Sequence, residues 1–398
     1  MTSFNPRVTS MQPSATLAMS AKAKELKRAG HPVISLSAGE PDFQTPAPAA
    51  EAGVQAIREG FTKYTQNQGM PRLREAICRK LRRNNGLDYA PGQILCSNGA
   101  KQSVALAVSV LASEGDEVLI PAPYWVSYPQ MARAAGATPV EMQTFVDTNY
   151  RITAAMLEAA ITERTRVLMH CSPSNPTGSV YTREELNAVA AVLRRHPQVQ
   201  VVSDEIYEHV IYDAEHYAFA SLPGMQEQTV TVNGFSKCYA MTGWRLGYMA
   251  GPQDVVKQAA KLQGHFTSAP SSISQCAGIA ALEMDMEYVQ SMVVAFRERR
   301  DYVLEQFSKI DGVVCPKPEG AFYVFPQVST YYGRKPPSGR TINDSQDLCF
   351  YLLEEHFVAL VPGQAFGGPD GIRLSYAASM ENLIEGMERI RRALDLLA

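Results

Sequence analysis

Short apolar runs of strand length recur along the chain, and longer segments with helical periodicity separate them. Several of the runs lack polar alternation, which is typical of strands covered on both faces. Residues 100–112 and 183–195 are examples of the helical segments. The alternation predicts an α/β fold with a mostly parallel central sheet and helices on both faces. The predicted strands are residues 93–96, 117–120, 138–141, 165–170, 199–203, 229–232 and 246–250.

The pattern changes towards both ends of the chain. Near the start, Pro13 and Ser14 precede a helical segment at residues 18–28, and a short strand begins at Ile34. From about Val255 a long helical stretch leads to a predicted strand (320–325), a surface loop (331–341), a helix (347–355) and a strand (372–376). We therefore expect an N-terminal arm and helix (1–30) that packs with a small α+β domain (286–398), and a large domain (31–285).

Composition narrows the class of protein. The 398 residues are 45% hydrophobic and 19% charged, which is a globular balance but long for one core. The net charge of −3, without a basic block, disfavours nucleic acid and anionic membranes as partners. Seven scattered cysteines without a C-x-x-C pair favour free thiols in a reducing compartment. Neither a spanning apolar run nor a secretory signal pattern is present in the sequence.

Lys237 lies in the most informative segment, residues 233–237 (Asn-Gly-Phe-Ser-Lys), and Arg245 follows eight residues later. A lysine that acts as a Schiff-base nucleophile must lose its proton near neutral pH, and burial beside a cation favours that loss. An arginine at this distance suits the phosphate of the same cofactor. The segment therefore predicts a lysine-linked cofactor site.

Asp204 directly follows a predicted buried strand. Ligands of open parallel sheets gather at the carboxyl ends of the strands, and a carboxylate there can keep a pyridinium nitrogen protonated. An aspartate in this position can equally cap the next helix. A metal site is a further alternative, although no cysteine or second histidine completes its ligand set. Its members would be Asp204, Glu205, Glu208 and His209.

Three other segments also follow predicted strands. Residues 97–103 turn a strand into a helix, whose free N–H groups can bind an anion or simply form an ordinary turn. The proline-rich loop 172–178 presents Asn175, whose amide can donate to a phenolate or a carboxylate. Trp125 offers a flat ring that could stack on a pyridine or pack in the core.

Arg373 lies inside an otherwise apolar strand. Arginine is seldom buried without an anionic partner. The partner could be an internal carboxylate or a substrate carboxylate held by two hydrogen bonds.

Together these segments resemble the class I aminotransferases of pyridoxal-phosphate fold type I. The resemblance runs from residues 13–16 (Pro-Ser-Ala-Thr) to residues 373–376 (Arg-Leu-Ser-Tyr), in the order and spacing of the family. Within the family the chain is similar to the plant-type bifunctional aspartate and glutamate/aspartate–prephenate aminotransferases. The segments that carry this similarity are residues 100–103, 171–181 and 342–345.

The resemblance implies pyridoxal 5′-phosphate (PLP) as cofactor and no metal. It implies that Lys237 bonds to the cofactor and moves the proton during the reaction, while Asp204 pairs with the ring nitrogen. The other implied cofactor contacts are the backbone of Gly99, Ala100 and Lys101, the side chains of Trp125, Asn175, Tyr207 and Arg245, and Tyr64 from a second subunit.

The resemblance also implies a dicarboxylic substrate. Gly39 and Arg373 would bind its α-carboxylate end, and Trp125 and Asn175 would contact it as well. Lys101, with Thr16 as its companion, would meet the distal carboxylate. The alternative is that Lys101 only balances the charge of the phosphate.

The implied reactions are prephenate with glutamate or aspartate to arogenate, and aspartate with 2-oxoglutarate to oxaloacetate and glutamate. An aspartate aminotransferase without prephenate activity, a PLP-dependent C–S lyase and a PLP-fold transcription regulator are the alternatives. A lyase needs no second carboxylate site, and a regulator needs a DNA-binding domain. We expect a homodimer with shared active sites, small amino and keto acids as ligands, and no nucleic acid or membrane partner. The expected location is the plastid stroma in a plant or alga, and otherwise the cytoplasm.

Overall fold

The structure is a computed structural model that describes residues 4–397. Its helices are α1 (Pro6–Thr9), α2 (Ala15–Arg28), α3 (Ala47–Arg58), α4 (Pro71–Asn85), α5 (Ala100–Leu111), α6 (Tyr128–Ala135), α7 (Ala154–Ala160), α8 (Arg183–Leu193), α9 (Gln253–Phe266), α10 (Ser272–Glu283), α11 (Glu287–Phe307), α12 (Ser345–His356) and α13 (Met380–Asp395). Its strands are β1 (Ile34–Ser35), β2 (Ile94–Ser97), β3 (Glu117–Ala122), β4 (Thr138–Gln143), β5 (Thr165–Cys171), β6 (Gln200–Asp204), β7 (Thr229–Gly234), β8 (Gly247–Ala250), β9 (Tyr323–Val324), β10 (Val358–Ala359), β11 (Val361–Pro362) and β12 (Ile372–Ser375).

The seven strands β2 to β8 form the central sheet, in the order β2-β8-β7-β6-β5-β3-β4. All neighbouring strands are parallel except those of β8, which pairs antiparallel with β2 and β7. Successive side chains of a strand point to opposite faces. Accordingly Val118 and Ile120 join the apolar cluster that contains α5 and α9, whereas Leu119 joins the one that contains α7 and α8. The predicted mostly parallel α/β sheet is therefore confirmed.

This sheet brings three segments with candidate site residues to one edge. Strand β5 ends at Cys171, β6 ends at Asp204 and β7 ends at Gly234. Cys171 and Asp204 are register partners, and Asp204 is in turn paired with Val232. Since the three strands are adjacent and parallel, the loops that follow them open on the same side of the molecule.

Two predictions outside the central sheet were wrong in their extent. The predicted strand 320–325 contains only β9, because Ala321 has a φ of 55° and interrupts the extended backbone. The N–H of Ala321 donates instead to the carbonyl of Val210, and that of Gly320 donates to the carbonyl of Gly178. The long helical stretch from Val255 is three helices, α9 to α11. The first break follows Phe266 and contains Ser268, whose φ is 56°, and Pro270.

The N-terminal helix packs with the C-terminal part of the chain. Met19 and Ala23 of α2 lie in one apolar cluster with Ile390 and Leu394 of α13. In addition, β1 pairs in parallel with β10, and β9, β11 and β12 form a separate small sheet. The division into residues 1–30, 31–285 and 286–398 stays a prediction, since β1 lies within the second range and pairs with a strand of the third. Among the described residues, no helix has the length and apolar character needed to cross a membrane.

Candidate active site

A cavity of about 760 Å³ lies at the edge of the sheet where β5, β6 and β7 end, and α2 covers part of it. It gathers candidate residues from segments that are up to 357 positions apart in the sequence. Of the predicted site residues, those that line it are Thr16, Gly39, Ala100, Lys101, Trp125, Asn175, Asp204, Tyr207, Lys237, Arg245 and Arg373. Gly99 precedes one of these positions, and Tyr64 lies elsewhere on the surface.

The amine of Lys237 points into this cavity. It is placed three residues beyond the end of β7, and its Nζ donates a hydrogen bond to the carbonyl oxygen of Gly39 at 2.5 Å. Burial and the nearby guanidinium of Arg373 lower the pKa of Lys237 to about 8. The amine therefore exchanges its proton in the range where a nucleophile or a general base is needed.

Asp204 is the last residue of β6, and its carboxylate is buried. The Tyr128 hydroxyl donates to Oδ2 at 2.8 Å, and the backbone N–H of Ile206 donates to Oδ1 at 3.4 Å. Burial raises the pKa of Asp204 to about 6, although both hydrogen bonds oppose this rise. Such a carboxylate can gain a protonated ring nitrogen as its partner.

The metal alternative for this segment is not supported in the form in which the sequence suggested it. Among residues 4–397, the acidic and histidine atoms that come within reach of one ion belong to Glu205, Glu208 and His216, and Asp204 is not among them. Glu208 is already paired with the buried ammonium group of Lys80. The negative charge that would attract a cation is thus compensated within the protein.

Arg373 is only 2% exposed, yet none of its nitrogen atoms meets a carboxylate in the part of the chain that the structure describes. Nη1 donates to Asn175 Oδ1 at 2.9 Å, Nη2 donates to the carbonyl of Ser37 at 2.7 Å, and Nε has no hydrogen-bond partner among the described residues. An internal carboxylate as its partner is therefore excluded within residues 4–397. A buried guanidinium that faces a cavity without a counter-ion is suited to a substrate carboxylate.

An anion-binding corner lies at the start of α5. Gly99 precedes this helix with a φ of +84°, and the first N–H groups of a helix lack intrahelical partners. Arg245 donates to the carbonyl of Asn98 at 3.2 Å, and a Cβ atom on Gly99 would lie 2.4 Å from its Nη2. The absence of a side chain at Gly99 leaves room for the guanidinium next to the start of α5. The free N–H groups of the helix and the positive charge of Arg245 therefore lie side by side, and both can bind a phosphate.

Lys101 and Trp125 form a second side of the cavity. The ammonium nitrogen of Lys101 lies 4.8 Å from the centre of the Trp125 ring, and the ring meets Tyr128 edge to face. Burial and then Arg245 lower the pKa of Lys101. The side chain thus lies beside the aromatic ring and lines the cavity, although the residue as a whole is exposed.

Tyr323 and Tyr128 are site residues that the sequence did not reveal. The Tyr323 hydroxyl is 2.8 Å from that of Tyr207, and the Arg373 guanidinium lies 4.6 Å above the Tyr323 ring. A Cβ atom on Gly39 would come within 2.6 Å of the same hydroxyl. For Tyr323 the only signal was an aromatic side chain in a short apolar strand, and for Tyr128 it was an aromatic side chain at the start of a helix. Such residues usually pack in the core.

The fold and the cavity together define an enzyme that uses a half-buried lysine and an anion-binding helix terminus. The chain belongs to the aminotransferase class I and II family, whose model matches residues 31–390. The protein is an aminotransferase, and membership of this family implies PLP as its cofactor.

The similarity to individual proteins extends over nearly the whole chain. The chain is 55% identical to the bifunctional aspartate aminotransferase and glutamate/aspartate-prephenate aminotransferase of Petunia hybrida, over 98% of this chain and 83% of that protein. It is 52% identical to the aspartate aminotransferase of Pinus pinaster, over 99% of this chain and 81% of that protein. The crystal structure of the Rhizobium meliloti aspartate aminotransferase matches with a TM-score of 0.96 and 44% identity, and each chain is covered completely.

Proposed function

We propose that this aminotransferase acts on dicarboxylic substrates. Its reactions are prephenate with glutamate or aspartate to arogenate, and aspartate with 2-oxoglutarate to oxaloacetate and glutamate. The observation that carries the proposal is the presence of two separate cations, Arg373 and Lys101, in one cavity with the reactive lysine. The name of the Petunia hybrida relative supports the prephenate reaction, and both plant relatives are named for the aspartate reaction.

The cavity fits PLP by its donor and acceptor groups. Gly99, Ala100 and Arg245 form the phosphate corner, and the Lys101 backbone extends it into the first turn of α5. On the ring, Asp204 would meet the nitrogen, Asn175 and Tyr207 the 3-hydroxyl oxygen, and Trp125 the face. When bound, PLP supplies a ring that accepts the electron pair left behind as the substrate Cα loses its proton.

Lys237 carries the proton in this proposal. With a pKa of about 8, about half of its amines are neutral at pH 8, against well under 1% for an ordinary lysine. A neutral amine can take the proton from Cα, and the carbonyl of Gly39 orients it by the 2.5 Å hydrogen bond. Asp204 favours the reaction because its negative charge stabilises a protonated ring nitrogen.

The substrate is held at two ends. The guanidinium of Arg373 lines the cavity and offers its charge to one carboxylate, and Asn175 fixes its orientation by accepting from Nη1. Lys101 offers its charge to the distal carboxylate from beside Trp125, and Thr16 lines the same cavity from α2. A lyase that eliminates a β-substituent gains nothing from this second cation, so the arrangement favours transamination of dicarboxylates.

We also propose a homodimer in which each subunit completes the site of the other. Tyr64 supports this assembly because its side chain is 99% exposed in the single chain. Further large apolar side chains are exposed on α3 and at the ends of α3 and α9, namely Val54, Ile57, Phe61 and Phe266. Seven free cysteines support the proposal of a reducing compartment, the plastid stroma or the cytoplasm.

Substrate turnover by the Lys101→Ala variant tests the proposed function. The rates of prephenate and oxaloacetate amination are compared for the wild type, Lys101→Ala and, as a control, Lys257→Ala, which changes an exposed lysine of α9. We expect arogenate formation by the wild type and a fall in kcat/KM of about 10-fold to 100-fold in Lys101→Ala, because one charged hydrogen bond is lost. Lys257→Ala should match the wild type. Turnover of oxaloacetate without prephenate would leave an aspartate aminotransferase, and pyruvate release from cysteine conjugates would favour a lyase.

A further inference from the structure

The cavity continues well beyond the reactive centre, along one face of α2. Thr16, Ser20, Ala23, Lys24 and Lys27 all line it. Their spacing of 4, 7, 8 and 11 positions from Thr16 places them on one side of an α-helix. At a rise of 1.5 Å per residue, the line from Thr16 to Lys27 is about 16 Å long. The cavity is therefore a corridor, with Thr16 near its inner end and Lys27 near its outer end.

The outer end of this corridor is polar and positively charged. Lys24 and Lys27 are exposed, and no carboxylate lies within ion-pair distance of either ammonium group among residues 4–397. The opposite wall consists of Val33, Ile34 and Ser35 from the start of β1, and of Asn382 from α13. Neither lysine contacts the reactive lysine or the arginine at the inner end, so the proposed chemistry leaves both unexplained.

The third lysine of the helix shows a different environment. Lys22 pairs with Glu25 at 3.0 Å, and neither residue lines the cavity. By helical spacing, both lie on the side of α2 opposite Thr16. The unpaired lysines of α2 are thus the ones on the corridor face, while the paired lysine points away from it.

The cavity is lined mainly by positive charges, whereas the protein as a whole is negatively charged. Six cationic side chains line it, and only Glu40 and Asp204 are acidic, although the chain carries a net charge of −3. The cations at the inner end are Lys101, Lys237, Arg245 and Arg373, and those at the outer end are Lys24 and Lys27. A cleft lined by one sign of charge raises the local concentration and the association rate of ligands with the opposite charge.

We propose that Lys24 and Lys27 form an outer binding station that draws dicarboxylate substrates into the corridor and favours them over monocarboxylates. The inference rests on the proposed dicarboxylate specificity and adds to it a second selection step, before the substrate reaches Lys101 and Arg373. At neutral pH maleate carries two negative charges, aspartate one net negative charge and alanine none, so the same two ammonium groups attract them in that order. The discrimination therefore acts on the association rate and on kcat/KM, and kcat is governed by the inner residues.

The test compares four proteins in their PLP-bound form: wild type, Lys24→Gln with Lys27→Gln, the charge-keeping Lys24→Arg with Lys27→Arg, and Lys22→Gln as matched control. The association rate of maleate, an unreactive dicarboxylate, is followed by stopped-flow absorbance of the bound cofactor. Steady-state kcat/KM is measured for aspartate and for alanine. Both are measured at 10 mM and at 0.5 M ionic strength, where charge screening extends over about 30 Å and a few ångströms respectively.

We expect the double glutamine variant to lose about threefold to tenfold in the maleate association rate and in kcat/KM for aspartate at 10 mM ionic strength. The loss should vanish at 0.5 M ionic strength. At 10 mM, kcat/KM for alanine should change by less than half as much as kcat/KM for aspartate. The double arginine variant and Lys22→Gln should behave like the wild type. An unchanged salt dependence in the double glutamine variant overturns the inference while leaving the proposed function intact. So does a loss that persists at 0.5 M, since attraction over the length of the corridor is screened at that ionic strength. A wild type that binds no maleate and prefers alanine overturns the proposed function itself, and the outer station with it.

Discussion

Asp204 should make the cofactor-free protein less stable above pH 6, and replacing it by asparagine should remove this cost. The carboxylate is buried without a cationic partner in contact, and its pKa is raised to about 6. The ordinary value is 3.8, so the unfolded chain releases this proton at a lower pH than the folded chain does. The difference corresponds to about 3 kcal/mol of folding free energy at neutral pH.

The sign of the effect follows from proton linkage. Between pH 4 and pH 6 the folded protein keeps the Asp204 proton and the unfolded chain does not, so the free energy of unfolding falls as the pH rises. The contribution is fully present below the unfolded value and is lost once the pH has passed through about 6. Asp204→Asn is close to the same shape, can still accept the Tyr128 hydroxyl, and has no charge to bury.

Urea unfolding of the cofactor-free protein, at matched protein concentration between pH 4 and pH 8, measures the effect. Relative to the wild type, Asp204→Asn should gain up to about 3 kcal/mol between these limits, and the PLP-bound form should retain its cofactor less well. Asp213→Asn is the control, because the hydrogen bond from Lys317 and the Arg300 guanidinium lower the pKa of Asp213 to about 2 from an ordinary value of 3.8. Its contribution to stability is complete above about pH 4, so the difference between Asp213→Asn and the wild type should stay nearly constant over the measured range. A stability difference between Asp204→Asn and the wild type that does not change with pH would refute the reasoning.

Two further predictions concern cofactor attachment. Lys237→Ala should lose the visible absorbance of lysine-bound PLP while still binding the cofactor through the Gly99 and Arg245 corner; an absorbance that persists would show that another amine forms the bond. Tyr64→Phe should shorten the retention time of PLP in dialysis by removing the hydroxyl that we expect to reach the partner's phosphate site, and unchanged retention at dimer concentrations would count against a shared site.

Much of the site could be predicted because topology turns sequence position into spatial position. Asp204 ends a buried strand, and Asn175 and Lys237 follow buried strands within a few residues. In a parallel sheet, such positions meet at one edge whatever the length of the connecting helices. Arg373 could be singled out for a different reason, since a charged residue within an apolar strand needs an anion. Both arguments use physical requirements that a single sequence displays.

The remainder depends on backbone turns and side-chain directions that periodicity does not encode. Ala321 adopts a left-handed conformation that alanine rarely takes, so the apolar run 320–325 was predicted as a strand although only two of its residues pair as one. Tyr323 follows that turn, and the turn is what aims its hydroxyl at Tyr207. Nothing in the local pattern distinguishes such a tyrosine from one that packs in the core.

Helix α2 is an element that the sequence predicted, although its orientation in the molecule could not be predicted. Its residue pattern gave a helix, but the significance of Lys24 and Lys27 depends on which face is turned towards the cavity, and that is set by contacts far away in the sequence. Met19 and Ala23 lie in the apolar cluster of the C-terminal part of the chain, where α2 contacts β10 and β11, and this packing places the lysines on the side of the corridor. A change in the contact of α2 with β10 and β11 would therefore alter access to the active site without touching Lys237 itself, so substrate entry and folding stability are coupled where α2 meets these strands.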